Sequence, residues 1–177
     1  MMKRLIEAAT KRFRQPASLV AVMAVLSLFN LVAFDLPLFE LVVGCVEPGA
    51  NAWLIVCSFV VLIIAANFMV YYLLVYTLRM VGKVLVALTF VCNAVALYFV
   101  NTYEVLMTRD MMGNLFNTRL SEASGFFSLT PVVYLLLLGL PPCLYLFVRR
   151  YELGSLRRML VSVGAAIGLI VVVAVAN

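Results

Sequence analysis

The chain has 177 residues, of which 66% are hydrophobic and only 12% are charged, and its formal net charge at pH 7 is +5. This composition excludes a soluble globular domain and indicates an integral membrane protein, with basic clusters that favour lipid headgroups over nucleic acid. The absence of histidine excludes a histidine metal site or a histidine general base within the chain.

The first fifteen residues are basic and precede a long apolar run. Apolar side chains recur in them at roughly helical spacing, at Leu5, Ala8, Ala9 and Phe13. This pattern predicts a short interfacial helix on an anionic leaflet. The following run is too long for a cleaved signal peptide and has no small-x-small cleavage site after it. We therefore predict a first membrane span at about residues 16–34, with Pro16 in its first turn.

Two further spans are predicted after an acidic connection. Residues 35–50 contain acids, prolines, glycines and apolar pieces too short to span, which is typical of a loop that dips into the interface. The second span covers about residues 51–78 and the third about 84–103, joined by a tight turn marked by Arg79 and Lys83.

Two asparagines lie in the middle of these predicted spans and need hydrogen-bonding partners. Asn67 belongs to the second span and Asn93 to the third. A pair across the helix hairpin is one hypothesis for both side chains.

The last two spans are predicted at about residues 131–148 and 159–176. Pro141 and Pro142 each remove a backbone donor, so we expect a kink or break in the fourth span. Small residues on one face of the fifth span, Gly164, Ala165 and Gly168, favour a close helix pair. The predicted fold class is an all-α integral membrane bundle of five transmembrane helices.

The basic residues predict the orientation of the bundle. Eleven of the thirteen Lys and Arg residues lie in residues 1–15, 79–83 and 149–158, whereas residues 35–50 and 101–128 hold six of the eight acids. The positive-inside rule places the basic segments and the N-terminus in the cytoplasm. An odd number of spans then puts the C-terminus outside, and we expect a further domain after residue 177.

The longest polar stretch, residues 101–128, separates the third span from the fourth. On a helical projection, residues 110–123 divide into a polar and an apolar face, which predicts an amphipathic helix on the outer membrane surface. Asn114, Thr118 and Glu122 recur every four residues, so they form one line over about 12 Å of that helix. The alternative interpretation of this line is a solvated helix face.

Residues 110–131 resemble the membrane domain of the lipid A phosphoethanolamine transferases; their sequence is DMMGNLFNTRLSEASGFFSLTP. That family includes the mobile enzymes that confer resistance to the polymyxin colistin. The resemblance covers the whole chain in topology. At the level of motifs it centres on N-x3-T-x3-E.

The resemblance implies transfer of phosphoethanolamine from phosphatidylethanolamine to lipid A or a related glycan at the bacterial inner membrane. It assigns binding of the ethanolamine-bearing substrate to Asn114, Thr118 and Glu122. Zinc and a threonine nucleophile would belong to a periplasmic domain after residue 177, so no catalytic residue, metal ligand or cofactor is expected within the chain. Its expected partners are phosphatidylethanolamine, a lipid A-type acceptor, membrane lipids and that domain, but no nucleic acid.

Two alternatives remain open at this level. A small transporter or channel subunit would use mid-span polar residues, of which Asn30, Asn67 and Asn93 are the candidates. A non-catalytic membrane scaffold would use the small-residue face of the fifth span.

Overall fold

Helices joined by short connections make up most of the part of the chain that the structure describes. The computed structural model describes residues 16–46, 49, 52–103 and 129–176. In chain order the elements are β1 (Ala17–Ser18), α1 (Leu19–Phe34), α2 (Leu36–Cys45), α3 (Ala52–Leu78), α4 (Met80–Tyr103), α5 (Leu129–Tyr134), a π-helical segment (Leu135–Gly139), α6 (Leu140–Val148), β2 (Tyr151–Glu152) and α7 (Leu156–Ala176). The helices predicted within residues 1–15 and 110–123 lie outside the described residues.

The predicted all-α membrane fold is confirmed. Four helical stretches are long and apolar enough to cross a membrane: Ala52–Leu78, Met80–Thr102, Leu129–Val148 and Leu156–Val173. A fifth crossing results if α1 and α2, which meet at a 66° bend, are counted together. Large apolar side chains remain outside, such as Leu137 at 66% and Val172 at 65% exposure. Such a surface is stable in lipid, where exposed hydrocarbon costs little.

Helix α2 corrects the prediction of a loop over residues 35–50. Pro37 stands in its first turn, where the missing N–H costs no hydrogen bond. None of the α2 residues is buried, and Phe39 meets Phe59 of α3 edge to face, with ring centroids 6.2 Å apart. The 66° bend directs α2 away from the axis of α1. An exposed, apolar helix at this angle suits the membrane interface.

A single residue turns the chain between α3 and α4. Arg79 adopts a positive φ of 48°, and α4 begins at the next residue. The third span therefore starts at Met80, earlier than the predicted 84, and Lys83 lies within its first turns. Gly82 allows this tight hairpin, because a Cβ atom there would lie 2.0 Å from the backbone oxygen of Leu74.

The two adjacent prolines do not break the helix, although a kink or a break was predicted there. Leu129–Val148 forms one continuous helical stretch, in which the π-helical segment immediately precedes α6. The N–H of Leu140 donates to the oxygen of Leu135, five residues earlier. This wider turn comes just before Pro141 and Pro142, which have no N–H to donate. A π turn is an established way to change the hydrogen-bond register of a helix.

The core lies where α1, α3, α4 and α6 meet. Helix α1 packs on α3, α3 packs on both α4 and α7, and α4 packs on the π-helical segment and α6. The buried residues of this core are Leu19, Val22, Met23, Leu26, Phe34, Tyr71, Tyr72, Val75, Val86, Phe90, Ala94, Leu97 and Leu146. Gly164 and Gly168 of α7 lie outside this core, since a Cβ atom at either would meet nothing within 4 Å. The predicted close helix pair at these glycines is therefore not formed among the described residues.

One end of the bundle, which we call the basic end, gathers residues 17–18, 79–83 and 149–158. Strands β1 and β2 pair in parallel there, with Ala17 opposite Tyr151. Ser18 caps α1 by accepting from the N–H of Ala21 at 3.2 Å, so the helix begins after Pro16 rather than at it. Lys83 Nζ lies 4.6 Å from the centroid of the Tyr151 ring, a cation–π contact. The start of α1, the α3–α4 turn and the α6–α7 connection are thus held together.

Candidate functional site

A hydrogen-bonded polar network lies inside the bundle, towards the end opposite the basic end. Its centre is Asn30 of α1, which is 3% exposed although it is polar. Asn30 is twelve positions beyond the helix cap at Ser18, which places it about 18 Å along α1 from the basic end. A buried amide at this depth requires partners, because water cannot satisfy it.

Two other helices supply donors to the side-chain oxygen of Asn30. The hydroxyl of Tyr71 on α3 donates to Oδ1 at 3.1 Å, and Nδ2 of Asn93 on α4 donates to the same oxygen at 2.8 Å. Asn93 therefore pairs with Asn30, which corrects the hypothesis that it pairs with Asn67. The reason is tertiary: α1 packs against both α3 and α4 and brings its own amide to this position.

The network extends to a carboxylate at the bend between α1 and α2. Nδ2 of Asn30 donates to Oδ2 of Asp35 at 3.3 Å. Asp35 occupies the N-cap position of α2 but makes no side-chain capping bond to that helix. Burial raises the pKa of the Asp35 carboxyl, and the hydrogen bond from Asn30 opposes part of this rise. The carboxyl group is thus held by a hydrogen bond from α1 and does not cap α2.

Aromatic rings enclose the network on its apolar side. Phe90 of α4 is fully buried and its ring centroid lies 5.5 Å from that of Tyr71. Phe29 and Phe34 of α1 each have ring centroids 6.1 Å from that of Phe90. In these low-dielectric surroundings each hydrogen bond is stronger than in water, and each missing partner is costlier.

A second polar contact joins helices at the same end of the bundle. Nδ2 of Asn101, near the end of α4, donates to the hydroxyl of Tyr134 on α5 at 3.2 Å. The Tyr134 ring also meets that of Tyr98 edge to face, with centroids 5.8 Å apart. This contact holds together the two helix ends from which residues 104–128 extend.

Within residues 16–46, 52–103 and 129–176, no three His, Cys, Asp or Glu side chains are grouped so that they could hold a metal ion. The network joins amide, hydroxyl and carboxyl groups by three hydrogen bonds centred on Asn30. Such an arrangement fixes the helices α1, α3 and α4 relative to one another.

The predicted binding residues Asn114, Thr118 and Glu122 lie outside the described residues. What the sequence analysis missed is the connection of Asn30 to Asp35, Tyr71 and Asn93. The available signal was a polar residue in an apolar helix followed five positions later by an acid. Periodicity could not add Tyr71, which looks like an ordinary interfacial tyrosine near a span end.

Comparisons with known proteins agree on one family. A family model described as phosphoethanolamine transferase EptA/EptB matches residues 63–177. The phosphoethanolamine transferase EptA of Helicobacter pylori is 27% identical over 170 residues, which cover 94% of this chain and 31% of that protein.

A solved structure gives the same result for the fold. The lipooligosaccharide phosphoethanolamine transferase A (EptA) of Neisseria meningitidis, an integral membrane protein, superposes with a TM-score of 0.68 at 22% identity. The match covers 86% of this chain and 30% of that one, so the chain spans less than a third of the length of either relative. The family model matches well over half of the residues of this chain. The chain therefore belongs to the phosphoethanolamine transferase EptA/EptB family and corresponds to part of the N-terminal membrane domain of that family.

Proposed function

We propose that this chain anchors a periplasmic catalytic domain and binds the lipid donor, phosphatidylethanolamine, for transfer of phosphoethanolamine to lipid A or a related glycan. The observation that carries the proposal is the family match over residues 63–177. The names of both relatives describe phosphoethanolamine transferases, each about three times as long as the matched part. The chemical step is accordingly assigned to the part of such a protein that this chain does not include.

Zinc enters the proposal only through that additional domain. The described residues offer no donor set that fits a zinc ion, and the chain has no histidine. When bound in the catalytic domain, zinc would supply Lewis-acid activation at the transferred phosphate. The residues of this chain would act earlier, by holding the lipid headgroup at the correct depth and orientation.

The orientation in the membrane follows from the charges. All six described Lys and Arg side chains, at positions 79, 83, 149, 150, 157 and 158, lie at the basic end of the bundle. Under the positive-inside rule this end faces the cytoplasm of the inner membrane. The Asn30 network, residues 101–128 and the end of α7 then face the periplasm, where a periplasmic domain would meet the lipid.

Within this arrangement Asn114, Thr118 and Glu122 form the proposed binding line. Glu122 would accept from the ethanolamine ammonium in a charge-assisted contact, and Asn114 and Thr118 would donate to phosphate oxygens. Support comes from their spacing of four residues, which would place them on one face of a helix, and from the position of their segment in the chain between α4 and α5, which Asn101 and Tyr134 hold together.

The structure gives no support to the transporter alternative. A water-filled path would expose polar side chains along its wall. Among the described residues, Asn30 is almost fully buried and Asn93 donates to it, so these amides bind each other. They stabilise helix packing instead of lining a pore.

The proposal is tested by phosphoethanolamine transfer in the native full-length protein. Replacing Glu122 with Gln keeps the size of the side chain but removes its charge. We expect transfer from phosphatidylethanolamine to fall about tenfold or more, as for loss of one charge-assisted contact to the substrate. The control is Glu152→Gln, an exposed acid at the basic end. Equal transfer by the Glu122→Gln variant and the control, at equal expression, would refute the role of Glu122.

A further inference from the structure

We propose that the fourth span contains a hinge at residues 135–142, about which α5 moves while α6 stays fixed. Helix α5 is the part of this span that lies farther from the basic end, and its motion opens the contact between α4 and α5. The use of this motion rests on the proposed function, because the proposed binding line lies in the chain between these two helices. The hinge itself rests only on described residues.

The first argument is a weakness in the main-chain bonding of the span. Pro141 and Pro142 have no N–H, so two main-chain hydrogen bonds are missing at this point. The π-helical segment directly before them departs from the regular pattern, since Leu140 donates to Leu135, five residues earlier. Prolines and π turns are the places where helices bend. The helix is therefore continuous here but less stiff than a regular helix.

The second argument is that the side of the hinge nearer the basic end is packed closely on α4. Leu146 of α6 is fully buried, and Sγ of Cys143 donates to the backbone oxygen of Ala87 at 3.6 Å. Gly139, the last residue of the π-helical segment, is also buried. A Cβ atom at Gly139 would lie 3.5 Å from Cβ of Ala94, so the two backbones are in close contact. This fit holds α6 in place.

The third argument is that α5 is held weakly by comparison. None of its six residues is buried. It meets α4 through Tyr134, whose hydroxyl accepts from Asn101 at 3.2 Å and whose ring lies edge to face with that of Tyr98. The hydrogen bond is exposed, so it can be exchanged for others at small cost. A segment with few buried groups, at the end of a weakened helix, opens at low free energy.

The motion has a consequence for the proposed binding line. Helix α4 ends at Tyr103 and α5 begins at Leu129, so these helix ends flank the part of the chain that carries the line. When Tyr134 parts from Asn101, the ends separate and a lipid gains access between them. Opening steps of this kind set the turnover of many enzymes. Transfer is therefore expected to depend on the stiffness of residues 135–142.

The hinge is tested by hydrogen exchange of the purified chain, followed by mass spectrometry. We expect the backbone amides of residues 133–138 to exchange about tenfold faster than those of residues 143–148, although both groups belong to one apolar helical stretch. Equal exchange on the two sides of the prolines would overturn the inference.

A proline variant tests whether the missing main-chain bonds cause the motion. Pro141 is exposed, so Pro141→Ala adds an N–H without loss of packing. We expect exchange of residues 133–138 to slow about fivefold, the effect of one regained hydrogen bond. Pro37→Ala is the matched control, because the first turn of α2 has no use for the added N–H. Identical exchange of residues 133–138 in the two variants would overturn the hinge.

A second variant acts on the contact that closes α5 against α4. Tyr134→Phe removes the hydroxyl that accepts from Asn101 and keeps the ring that meets Tyr98. We expect exchange of residues 133–138 to become about fivefold faster and that of residues 143–148 to stay unchanged. An equal effect on both groups would show that the span responds as one rigid helix, which contradicts the hinge.

The use of the hinge is tested in the native full-length protein. Pro141→Ala should raise the unfolding midpoint by about 3 °C relative to Pro37→Ala and lower the rate of phosphoethanolamine transfer about fivefold. A purely structural role would move stability and transfer in the same direction. A stabilised Pro141→Ala protein with unimpaired transfer would overturn the link between the hinge and transfer. If the wild-type protein does not transfer phosphoethanolamine, the proposed function is wrong, and hydrogen exchange still decides whether the hinge exists.

Discussion

Gly82 offers a sharp test of the α3–α4 hairpin, because an alanine there should have opposite effects with and without the observed packing. In an isolated helix, Gly→Ala stabilises by about 1 kcal/mol. In this structure the added Cβ would lie 2.0 Å from the oxygen and 2.5 Å from the carbon of the Leu74 carbonyl, and 2.9 Å from Val75 Cα. All three atoms belong to the backbone, so no side-chain rotation can relieve the overlap.

The magnitude follows from the displacement that the overlap requires. To restore the 3.4 Å of ordinary contact, the two backbones must separate by about 1.4 Å at this point. Overpacking of this kind costs about 1–3 kcal/mol. Separation of α3 from α4 would also strain the bonds by which Tyr71 and Asn93 hold Asn30, each worth about 1 kcal/mol. Since the gain in helix propensity offsets only about 1 kcal/mol, we expect Gly82→Ala to destabilise by about 1–3 kcal/mol.

Gly168→Ala is the matched control. Gly168 is also within a membrane-spanning helix, but its added Cβ would meet nothing within 4 Å. We expect this variant to be neutral or stabilised by up to about 1 kcal/mol. At about 3 °C per kcal/mol, the unfolding midpoints of the two variants should differ by roughly 3–12 °C in detergent, followed by circular dichroism. A Gly82→Ala chain as stable as the Gly168→Ala chain would show that the hairpin is not packed this closely.

Two further predictions concern the network and the orientation. Asn30→Leu should destabilise the chain by about 2–4 kcal/mol and Asn93→Leu by about 1 kcal/mol, because the first removes the partner of three polar groups and the second removes one donor. Thermal unfolding measures these changes, and Asn67→Leu is the control, because Asn67 makes no hydrogen bond to another described side chain. Equal stability of all three variants would contradict the network. For orientation, the exposed Cys45 should react with an impermeant maleimide in spheroplasts. A cysteine introduced by Glu152→Cys, in a chain that also carries Cys45→Ser, should react only after lysis. The reverse pattern would place the basic end in the periplasm.

The amino-acid sequence determines the class of the protein and most of its helices. Runs of apolar residues long enough for a bilayer leave few alternatives, because every backbone group in lipid must be bonded within the helix. The observed helices accordingly begin and end near the predicted bounds, except where local chemistry intervenes. Residues 36–45 form a helix whose first turn accommodates Pro37, and α4 begins at Met80 because Arg79 alone completes the turn.

The response to the proline pair shows where sequence rules reach their limit. Pro141 and Pro142 remove donors from the helix, and this much is determined by their covalent structure. Whether the helix breaks or changes register depends on its neighbours. Here α4 packs along the whole stretch, and a π turn keeps the helix continuous.

The polar network was decided by tertiary structure alone. Asn93 could be identified as a residue that needs a partner, but both Asn67 and Asn30 were chemically suitable. The choice depends on how far each helix is rotated and which helix lies between the others, and hydrophobic periodicity carries little of this information when helices are apolar on every side. Asp35 acquires its partner in the same way: the sequence predicts a loop at its position, and only the packing of α1 against α3 and α4 directs the Asn30 amide to its carboxylate.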